Sequence, residues 1–444
     1  MELVTEYLDR IARLDPELNS FVTVAGDRAL EDAHRAQRLL GRDGLPPFHG
    51  VPIPIKDLTE TAGIRTTAST KTFADKVGEV DAHSVRKLKE AGFILLGKTN
   101  TPELGTLCVT ESELNGACRN PWDPGRTPGG SSGGAAAAVA AGLCPVAHAS
   151  DGGGSIRIPA SCCGLVGLKP ARGRISNGPL AGDTLAGFGV QGPITRTVED
   201  AAALLDVLEG YELGDPHWAP PPKRPFAREV GAPPGRLRIA VTTVTPNFAP
   251  VDPVIEKETG DAAALLESLG HIVEEAAPDW VDADISAAFV AVFQTLSAYA
   301  DIDPQDMEPV NRALAESAAA TSSLDYVRAV SALQKRARAI VDFWGSHDLV
   351  LTPSLALPPV PIGWLFEDDD PWAQFAKMAL FIPFSPIANL TGQPAVSLPL
   401  CWGQDGLPIG MQLTGPPAGE ALLLRVAAQL EEARPWAHRR PPVS

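Results

Sequence analysis

Two short glycine-rich segments carry the serines whose setting could support chemistry. Residues 128–134 contain Ser131, and residues 150–157 contain Ser155. Glycine loses more conformational freedom on folding than any other residue, so dense glycines indicate that the backbone must approach something closely. Taken by itself, the pattern fits a catalytic site and a tight strand-to-helix turn without chemistry equally well.

The second segment also offers several backbone amides in a row. They belong to Gly152, Gly153, Gly154 and Ser155, and they stand beside a serine and just before a helix-like stretch. Donors aimed in this way stabilise the negative charge that develops on a tetrahedral intermediate. The sequence therefore predicts an oxyanion hole formed by these four amides.

A serine hydroxyl becomes a good nucleophile only when a base removes its proton. The chain has eight histidines, none of them in a distinctive setting. Lys56 is more unusual, because it follows the apolar run Val-Pro-Ile-Pro-Ile at residues 51–55. Burial of that run would desolvate the ammonium and lower its pKa, which is the condition for a neutral lysine base. The alternative is a lysine at a strand end that reaches water.

Composition limits the class of protein. The 444 residues have a formal net charge of −17 with scattered Lys and Arg, which argues against direct nucleic-acid binding. The N-terminus lacks the pattern of a secretory signal, and no run is long and apolar enough for a membrane span. The six cysteines show neither CxxC nor zinc-like spacing. We therefore expect a cytoplasmic protein with reduced thiols, no metal and no membrane association.

Strands and helices alternate along the chain. Apolar spacing predicts two helices in the first 40 residues, then a strand over 49–57, a helix over 81–91, a strand over 93–96, a helix over 131–141 and a strand over 145–149. Later elements are a helix over 197–208 opened by Thr197, strand–helix–strand over 237–275, helices over 282–344 and a buried strand over 348–353. A proline-dense loop over 215–225 is the best candidate for an internal linker. This order favours an α/β fold with a mixed or mainly parallel sheet.

Several of these segments together resemble the amidase signature family. The separation of 24 residues between Ser131 and Ser155 is similar to that of the family, and the motifs follow in the same order. The matching stretches are residues 50–57, 129–134, 151–159, 164–170, 192–200, 351–353 and 389–394. Residues 211–344 carry little recognisable signal.

The resemblance implies a Ser–cis-Ser–Lys triad. Ser155 would attack the amide carbonyl and form an acyl-enzyme, Ser131 on a cis peptide would relay the proton, and Lys56 would be the general base. Ser132 would support the relay by hydrogen bonding. The reaction would need no metal and no organic cofactor.

The resemblance also implies the fold and a structural ion pair. Asp151 and Arg157 would pair near the turn that carries the nucleophile. The fold would be a single α/β domain over residues 1–444, a twisted mixed sheet with helices on both faces. Its signature core would span about 45–210, and a helical region at about 280–345 would help to cover the site.

Two other motifs match formally and are rejected. Residues 92–99 fit the P-loop pattern, but the four residues between the glycines are Phe, Ile, Leu and Leu, which are typical of a strand core. Residues 130–134 fit the nucleophile elbow of α/β-hydrolases, but loop-forming residues precede them where that elbow requires a strand.

The substrate is expected to be a small-molecule amide, and its identity stays open. Three substrate types fit the triad: linear amides, cyclic amides of the nylon-oligomer type, and glutamine, as used by the glutaminase of the amidotransferase for charged tRNA. We expect the pocket lining to come from residues 111–118, from the helices of 280–345 and from residues 381–389, with a preference for a hydrophobic group. Some esterase activity is expected, because an acyl-enzyme route accepts esters. A homodimer is compatible with the sequence.

Overall fold

The computed structural model describes the backbone of residues 1–444, and the side chains of all of them except Thr184, Ala283 and Asp284. Its strands are β1 (Phe21–Val24), β2 (Pro52–Lys56), β3 (Ile94–Thr99), β4 (Val146–Asp151), β5 (Val166–Lys169), β6 (Val190–Thr195), β7 (Arg238–Val241), β8 (Ile272–Glu275), β9 (Leu349–Pro353), β10 (Ala395–Trp402) and β11 (Pro408–Thr414). Its α-helices are α1 (Glu2–Leu18), α2 (Gly26–Gln37), α3 (His83–Glu90), α4 (Gly133–Ala140), α5 (Arg157–Cys163), α6 (Val198–Leu208), α7 (Pro253–Ser268), α8 (Ala283–Phe293), α9 (Thr295–Tyr299), α10 (Pro309–Ala320), α11 (Ser323–Asp342), α12 (Pro371–Phe381), α13 (Ser385–Thr391) and α14 (Glu420–Ala433).

The strands form two sheets. The larger sheet has eight strands in the order β4-β6-β5-β10-β11-β9-β7-β8, and the smaller sheet has the order β1-β3-β2. Neighbours in the larger sheet are antiparallel from β4 to β9 and parallel from β9 to β8. The predicted single α/β domain with a mixed sheet is confirmed. The structure adds the smaller sheet, which contains the strand that ends at Lys56.

Helices cover both faces of the larger sheet, because successive residues of a strand point to opposite faces. On one face, Leu168 of β5 belongs to the same buried apolar cluster as Leu205 of α6 and Leu423 of α14. On the other face, Gly167 approaches α5 so closely that an added Cβ would lie 2.5 Å from the Cβ of Ala160. The sheet is therefore the middle layer of the domain.

Helix α4 packs where space is smallest. Every residue of this glycine- and alanine-rich helix is buried, as expected for a helix that is apolar all round. A Cβ added to Gly134 would lie 2.3 Å from the backbone nitrogen of Asn100, at the end of β3. The glycines at the start of α4 therefore do allow a close approach of two backbones, as their density in the sequence predicts.

Most elements lie where the sequence places them. Helices α1 and α2, the strand before Lys56 and the helices α8 to α11 match the predicted ranges within a few residues. Thr197 caps α6 by accepting a hydrogen bond from the Asp200 amide, as predicted. The proline-dense residues 215–225 are irregular, and the chain then returns to the same sheet through β7. Among the residues that the structure describes, no helix combines the length and apolar character needed to cross a bilayer.

Candidate active site

Lys56 lies at the end of β2, and its side chain is completely buried. Its Nζ donates hydrogen bonds to Ser131 Oγ at 2.8 Å and to Ser150 Oγ at 3.1 Å. Loss of solvation lowers the pKa of Lys56 to about 7, against the opposing effect of the Asp151 carboxylate. A substantial fraction of this amine is therefore neutral near pH 7, and the reading of a lysine that reaches water does not hold.

Ser131 is held between two tightly packed glycines. The Gly130–Ser131 peptide bond is cis. A Cβ on Gly130 would lie 2.6 Å from the carbonyl oxygen of Val109, and a Cβ on Gly105 would lie 3.3 Å from Ser131 Oγ. The backbone of Val109 therefore excludes a side chain at Gly130, and Gly105 packs directly beside the Ser131 hydroxyl.

Ser132 connects α4 to the strand that carries the other serine segment. Its Oγ donates to the carbonyl of Ser150 at 3.2 Å, and its backbone N–H donates to the carbonyl of Ser155 at 3.3 Å. The two glycine-rich segments thus contact each other directly through the residue that follows Ser131.

Ser155 lies in the turn between β4 and α5. Gly154 has a φ of +131°, a conformation that L side chains rarely adopt, and an added Cβ would lie 2.2 Å from Ser385 Oγ. Ser155 is half-buried, and it lines the same cavity as Ser131. The turn therefore places Ser155 at the cavity that Ser131, the hydrogen-bond partner of Lys56, also lines.

The four amides of the predicted oxyanion hole do not have the same surroundings. The N–H of Gly154 donates to Asp151 Oδ1 at 2.7 Å, so it already has an acceptor within the turn. The oxyanion hole of four amides stays a prediction, in which the Gly154 amide is shared with the Asp151 carboxylate. Gly152, Gly153 and Ser155 line the cavity and stay as candidate donors.

Asp151 and Arg157 form an ion pair beneath the turn, and both side chains are fully buried. Two nitrogens of Arg157 donate to the two carboxylate oxygens at 3.0 and 2.9 Å. Burial acts to raise the pKa of Asp151, but the Arg157 guanidinium outweighs it and lowers the pKa to about 2. The remaining guanidinium hydrogens go to the side-chain oxygens of Asn389 and Gln412 and to the carbonyl oxygen of Ser385, each at 2.8 Å. The pair is a buried, charge-compensated support beneath the turn that carries Ser155.

A cavity of about 600 Å³ lies above these groups. Ser131, Ser150 and Ser155 lie in its lining, and most of the other lining side chains are apolar. One wall is a row of aromatic rings, in which Phe289 stacks on Phe293 at 5.6 Å between ring centres and Phe293 contacts Phe375 at 5.8 Å. The site therefore combines a small polar floor with a large apolar wall.

Two of the three segments expected to line the pocket do so. Helices α8 and α9 supply side chains such as Phe289 and Tyr299, and residues 382–387 supply another part. The expectation for residues 111–118 is wrong, since none of their described side chains lines the cavity. Glu111 is buried and accepts the N–H of Gly363 instead. The wall on that side is formed by residues 104–108, which precede the expected segment.

Sequence reasoning missed two polar groups of the site. Ser150 accepts a hydrogen bond from Lys56, although the two residues are 94 positions apart. Asn389 donates to the carbonyl and to a carboxylate oxygen of Asp151 at 3.0 and 2.8 Å. Asn389 lies in a motif that the resemblance does identify, residues 389–394, so a signal existed for it. Ser150 stands next to Asp151 and carries no signal of its own.

The rejected motifs have the structures that their composition predicts. Residues 94–99 of the P-loop pattern form the buried strand β3.

The cysteines at positions 108, 118, 144, 162, 163 and 401 are all free and buried. Within the described side chains, no group of three or more His, Cys, Asp or Glu is arranged to hold a metal ion.

Comparison with known proteins identifies the family of the chain. The family model described as Amidase matches residues 2–424. A protein named "Putative amidase AmiB2" from Mycobacterium tuberculosis (strain ATCC 25618 / H37Rv) is 43% identical, over 100% of this chain and 94% of its own. The 6-aminohexanoate-cyclic-dimer hydrolase of Paenarthrobacter ureafaciens is 39% identical, over 99% of this chain and 92% of its own. The solved structure of a 6-aminohexanoate cyclic dimer hydrolase has a TM-score of 0.93 at 37% identity, covering 100% of this chain and 95% of that one.

The chain belongs to the amidase family. It is an amidase, an enzyme that hydrolyses carbon–nitrogen amide bonds. The family resemblance of the sequence motifs is thereby confirmed.

Proposed function

We propose that Ser155 is the nucleophile of this amidase, Ser131 the proton relay and Lys56 the general base. The observation that carries this proposal is the 2.8 Å hydrogen bond from Lys56 Nζ to Ser131 Oγ, at the floor of the cavity that Ser155 lines. A neutral amine next to a hydroxyl is a base next to a proton carrier, and a serine needs such a base to act as a nucleophile.

The reaction proceeds in two halves. Ser155 Oγ forms a bond to the amide carbon while its proton passes to Ser131 Oγ, whose own proton passes to Lys56 Nζ. The protonated amine then returns a proton through Ser131 to the leaving nitrogen, the carbon–nitrogen bond breaks, and an ester to Ser155 remains. Water attacks that ester by the same route and releases the carboxylic acid. Ser150 supports the relay by holding the amine of Lys56 from a second side.

The backbone amides of Gly152, Gly153 and Ser155 stabilise the oxyanion in this scheme. Preorganised donors of this kind are the largest single contribution in many acyl-transfer enzymes. The Asp151–Arg157 ion pair holds their turn in place from below, because both oxygens of Asp151 bind groups of the turn or of α5.

The cavity favours an amide with a substantial hydrophobic portion. Its aromatic wall suits an aryl, alkyl or lactam group, and burial of such a group contributes about 25 cal/mol per Å² of apolar area. A cyclic amide is a specific candidate, because a relative that is 39% identical is named a 6-aminohexanoate-cyclic-dimer hydrolase.

Free glutamine is the less favoured substrate. Its charged amino and carboxylate groups need ionic partners, whereas the charged residues of the described lining are Glu60, Lys76 and Asp151. Glu60 is paired with Lys76 at 3.1 Å, and Asp151 is paired with Arg157.

The net charge of −17 supports a small molecule over a nucleic acid as direct partner. The buried free thiols support the predicted cytoplasmic location, and a homodimer stays a prediction.

The proposal is tested with a panel of aryl, alkyl, cyclic and glutamine amides, in which release of amine or ammonia is measured. We expect Ser155→Ala to abolish turnover of every substrate that the wild type accepts. Ser346→Ala is the matched control, because it removes an exposed hydroxyl outside the cavity. Equal rates for the wild type and Ser155→Ala would refute the assignment of the nucleophile.

A further inference from the structure

The strand partner of Ser150 belongs to a polar pair that the hydrolytic scheme does not use. Ser150 on β4 pairs with Gln191 on β6. Directly opposed residues of an antiparallel pair project to the same face, with Cβ atoms about 4.5–5.5 Å apart. Both residues line the cavity. Gln191 therefore lies next to the hydroxyl that binds Lys56, close to the position of the scissile bond.

Gln191 is held on two sides by side chains. Its Oε1 lies 2.8 Å from His148 Nε2, and its Nε2 donates to Asn177 Oδ1 at 3.3 Å. Asn177 in turn donates from Nδ2 to the carbonyl of Gly189 at 3.1 Å, and it also lines the cavity. The two carboxamides thus form one connected group, which has a fixed orientation.

The protonation state of His148 determines the orientation of the Gln191 carboxamide. The imidazole is completely buried, and burial lowers its pKa to about 4, so the ring is neutral and carries one N–H. Its Nδ1 is a buried atom without a hydrogen-bond partner among the described residues, which is consistent with a proton on Nε2. Nε2 therefore donates to Gln191 Oε1, and the amide nitrogen of Gln191 turns toward Asn177.

The two carboxamide nitrogens carry more hydrogens than their partners in the protein accept. Each carboxamide nitrogen carries two hydrogens. Gln191 uses one of them for Asn177, and Asn177 uses one for Gly189. One N–H of each residue is left for the cavity, beside walls that are otherwise largely apolar. A ligand that enters the cavity displaces the water that such donors would bind, so a ligand with an acceptor at this position is favoured over one without.

We propose that Gln191 and Asn177 form a second binding subsite, which accepts an acyl oxygen of the substrate other than that of the scissile amide. The ligand class is a bifunctional amide: a second amide carbonyl or a carboxylate lies a few bonds from the bond that is cleaved. This inference rests on the proposed function, because it assigns recognition to the same cavity.

The test compares matched substrates that differ only at the far end of the acyl chain. We would measure kcat/KM for anilides whose chain ends in a methyl group, a primary carboxamide or a carboxylate, at several chain lengths. We expect the wild type to prefer an acceptor-terminated chain at one chain length. Gln191→Leu and Asn177→Leu should each reduce that preference roughly five- to tenfold, the effect of one neutral hydrogen bond. An unchanged preference in both variants would overturn the proposal.

A matched control variant exists on α14. His271 Nε2 lies 2.9 Å from Gln429 Oε1, so Gln429→Leu breaks the same kind of contact outside the described cavity lining. The ratio between the two substrate classes should not change in this control, and an equal change would contradict the subsite. If Gln191→Leu does not fold, Gln191→Glu serves instead; its carboxylate should disfavour the carboxylate-terminated chain most.

Binding separates this inference from the catalytic assignment. In the Ser155→Ala background, the Kd of each anilide is measured by calorimetry without turnover, with and without Gln191→Leu. A wild-type-like rate in Ser155→Ala would refute the assignment of Ser155 as the nucleophile. In that case the substrate preference measured with Gln191→Leu would still test the subsite. Equal Kd values for methyl- and acceptor-terminated chains at every length would refute the subsite and leave the nucleophile in place.

Discussion

Replacing Lys56 with methionine should abolish activity and raise the stability of the fold. Burial holds the pKa of Lys56 at about 7, compared with an ordinary value of 10.5. One pKa unit corresponds to about 1.4 kcal/mol, so keeping this amine buried at pH 7 costs about 5 kcal/mol. Methionine has a similar shape and no charge, but it leaves Ser131 and Ser150 without their donor, at about 1 kcal/mol each. The net gain at pH 7 is about 3 kcal/mol.

This gain depends on pH in a defined direction. Between pH 7 and 10.5 the unfolded chain binds a proton at Lys56 that the folded chain does not bind. The free energy of unfolding of the wild type therefore rises with pH by about 1.4 kcal/mol per pH unit over this window. Below about pH 7 both states are protonated and the cost is constant. The advantage of Lys56→Met is thus largest at or below pH 7 and vanishes near about pH 9.

The assay is thermal unfolding of both proteins at about pH 7, 8 and 9, with amidase activity measured in parallel. For 444 residues, an unfolding entropy of about 2.1 cal/mol/K per residue converts 3 kcal/mol into a Tm increase of about 3 °C. Lys98 and Lys169 are also buried, but they are present in both proteins and cancel. A Tm for Lys56→Met that is lower at pH 7, with a difference independent of pH, would refute the buried neutral amine.

Two further predictions concern the same floor of the cavity. We expect kcat/KM to rise about tenfold per pH unit below pH 7 and to level off above it, because Lys56 must be neutral and its pKa is about 7; a pH–rate profile that is flat from about pH 5 to 9 would contradict lysine as the base. We expect Asp151→Asn to destabilise the fold by about 3–5 kcal/mol, since it leaves the buried Arg157 without its charge partner. Scanning calorimetry checks this as a Tm decrease of about 3–5 °C, and an unchanged Tm would show that the ion pair has no structural role.

Local sequence patterns were sufficient to identify the candidate catalytic segments. The apolar run before Lys56 predicts its burial, and the glycines near Ser131 and Ser155 predict close backbone contacts, because these properties depend on neighbouring residues. The contact between Lys56 and Ser150 depends on the packing of β2 beside β4, which no local pattern contains. The occupied amide of Gly154 likewise depends on which way the Asp151 carboxylate turns.

The difference between local patterns and tertiary packing also explains why strands β10 and β11 were not predicted. Strands β10 and β11 lie in the middle of the larger sheet, yet they carry Pro399 and Gly410 within their apolar runs. Proline cannot donate to a neighbouring strand, so it argues against a central strand. The structure accommodates Pro399 where the pairing of β10 with β11 shifts register, between Leu398 and Cys401. A register shift of this kind is a tertiary property, and sequence periodicity does not reveal it.

The aromatic wall and the reacting groups come from different parts of the chain. Lys56, Ser131 and Ser155 all lie within the first 155 residues, whereas Phe289 and Phe293 belong to α8. Recombination that exchanges the segments encoding α8 and α9 between related genes would therefore change the substrate range and leave the proton relay unaltered. Laboratory evolution toward bulkier synthetic amides should accordingly begin with a library restricted to residues 285–299.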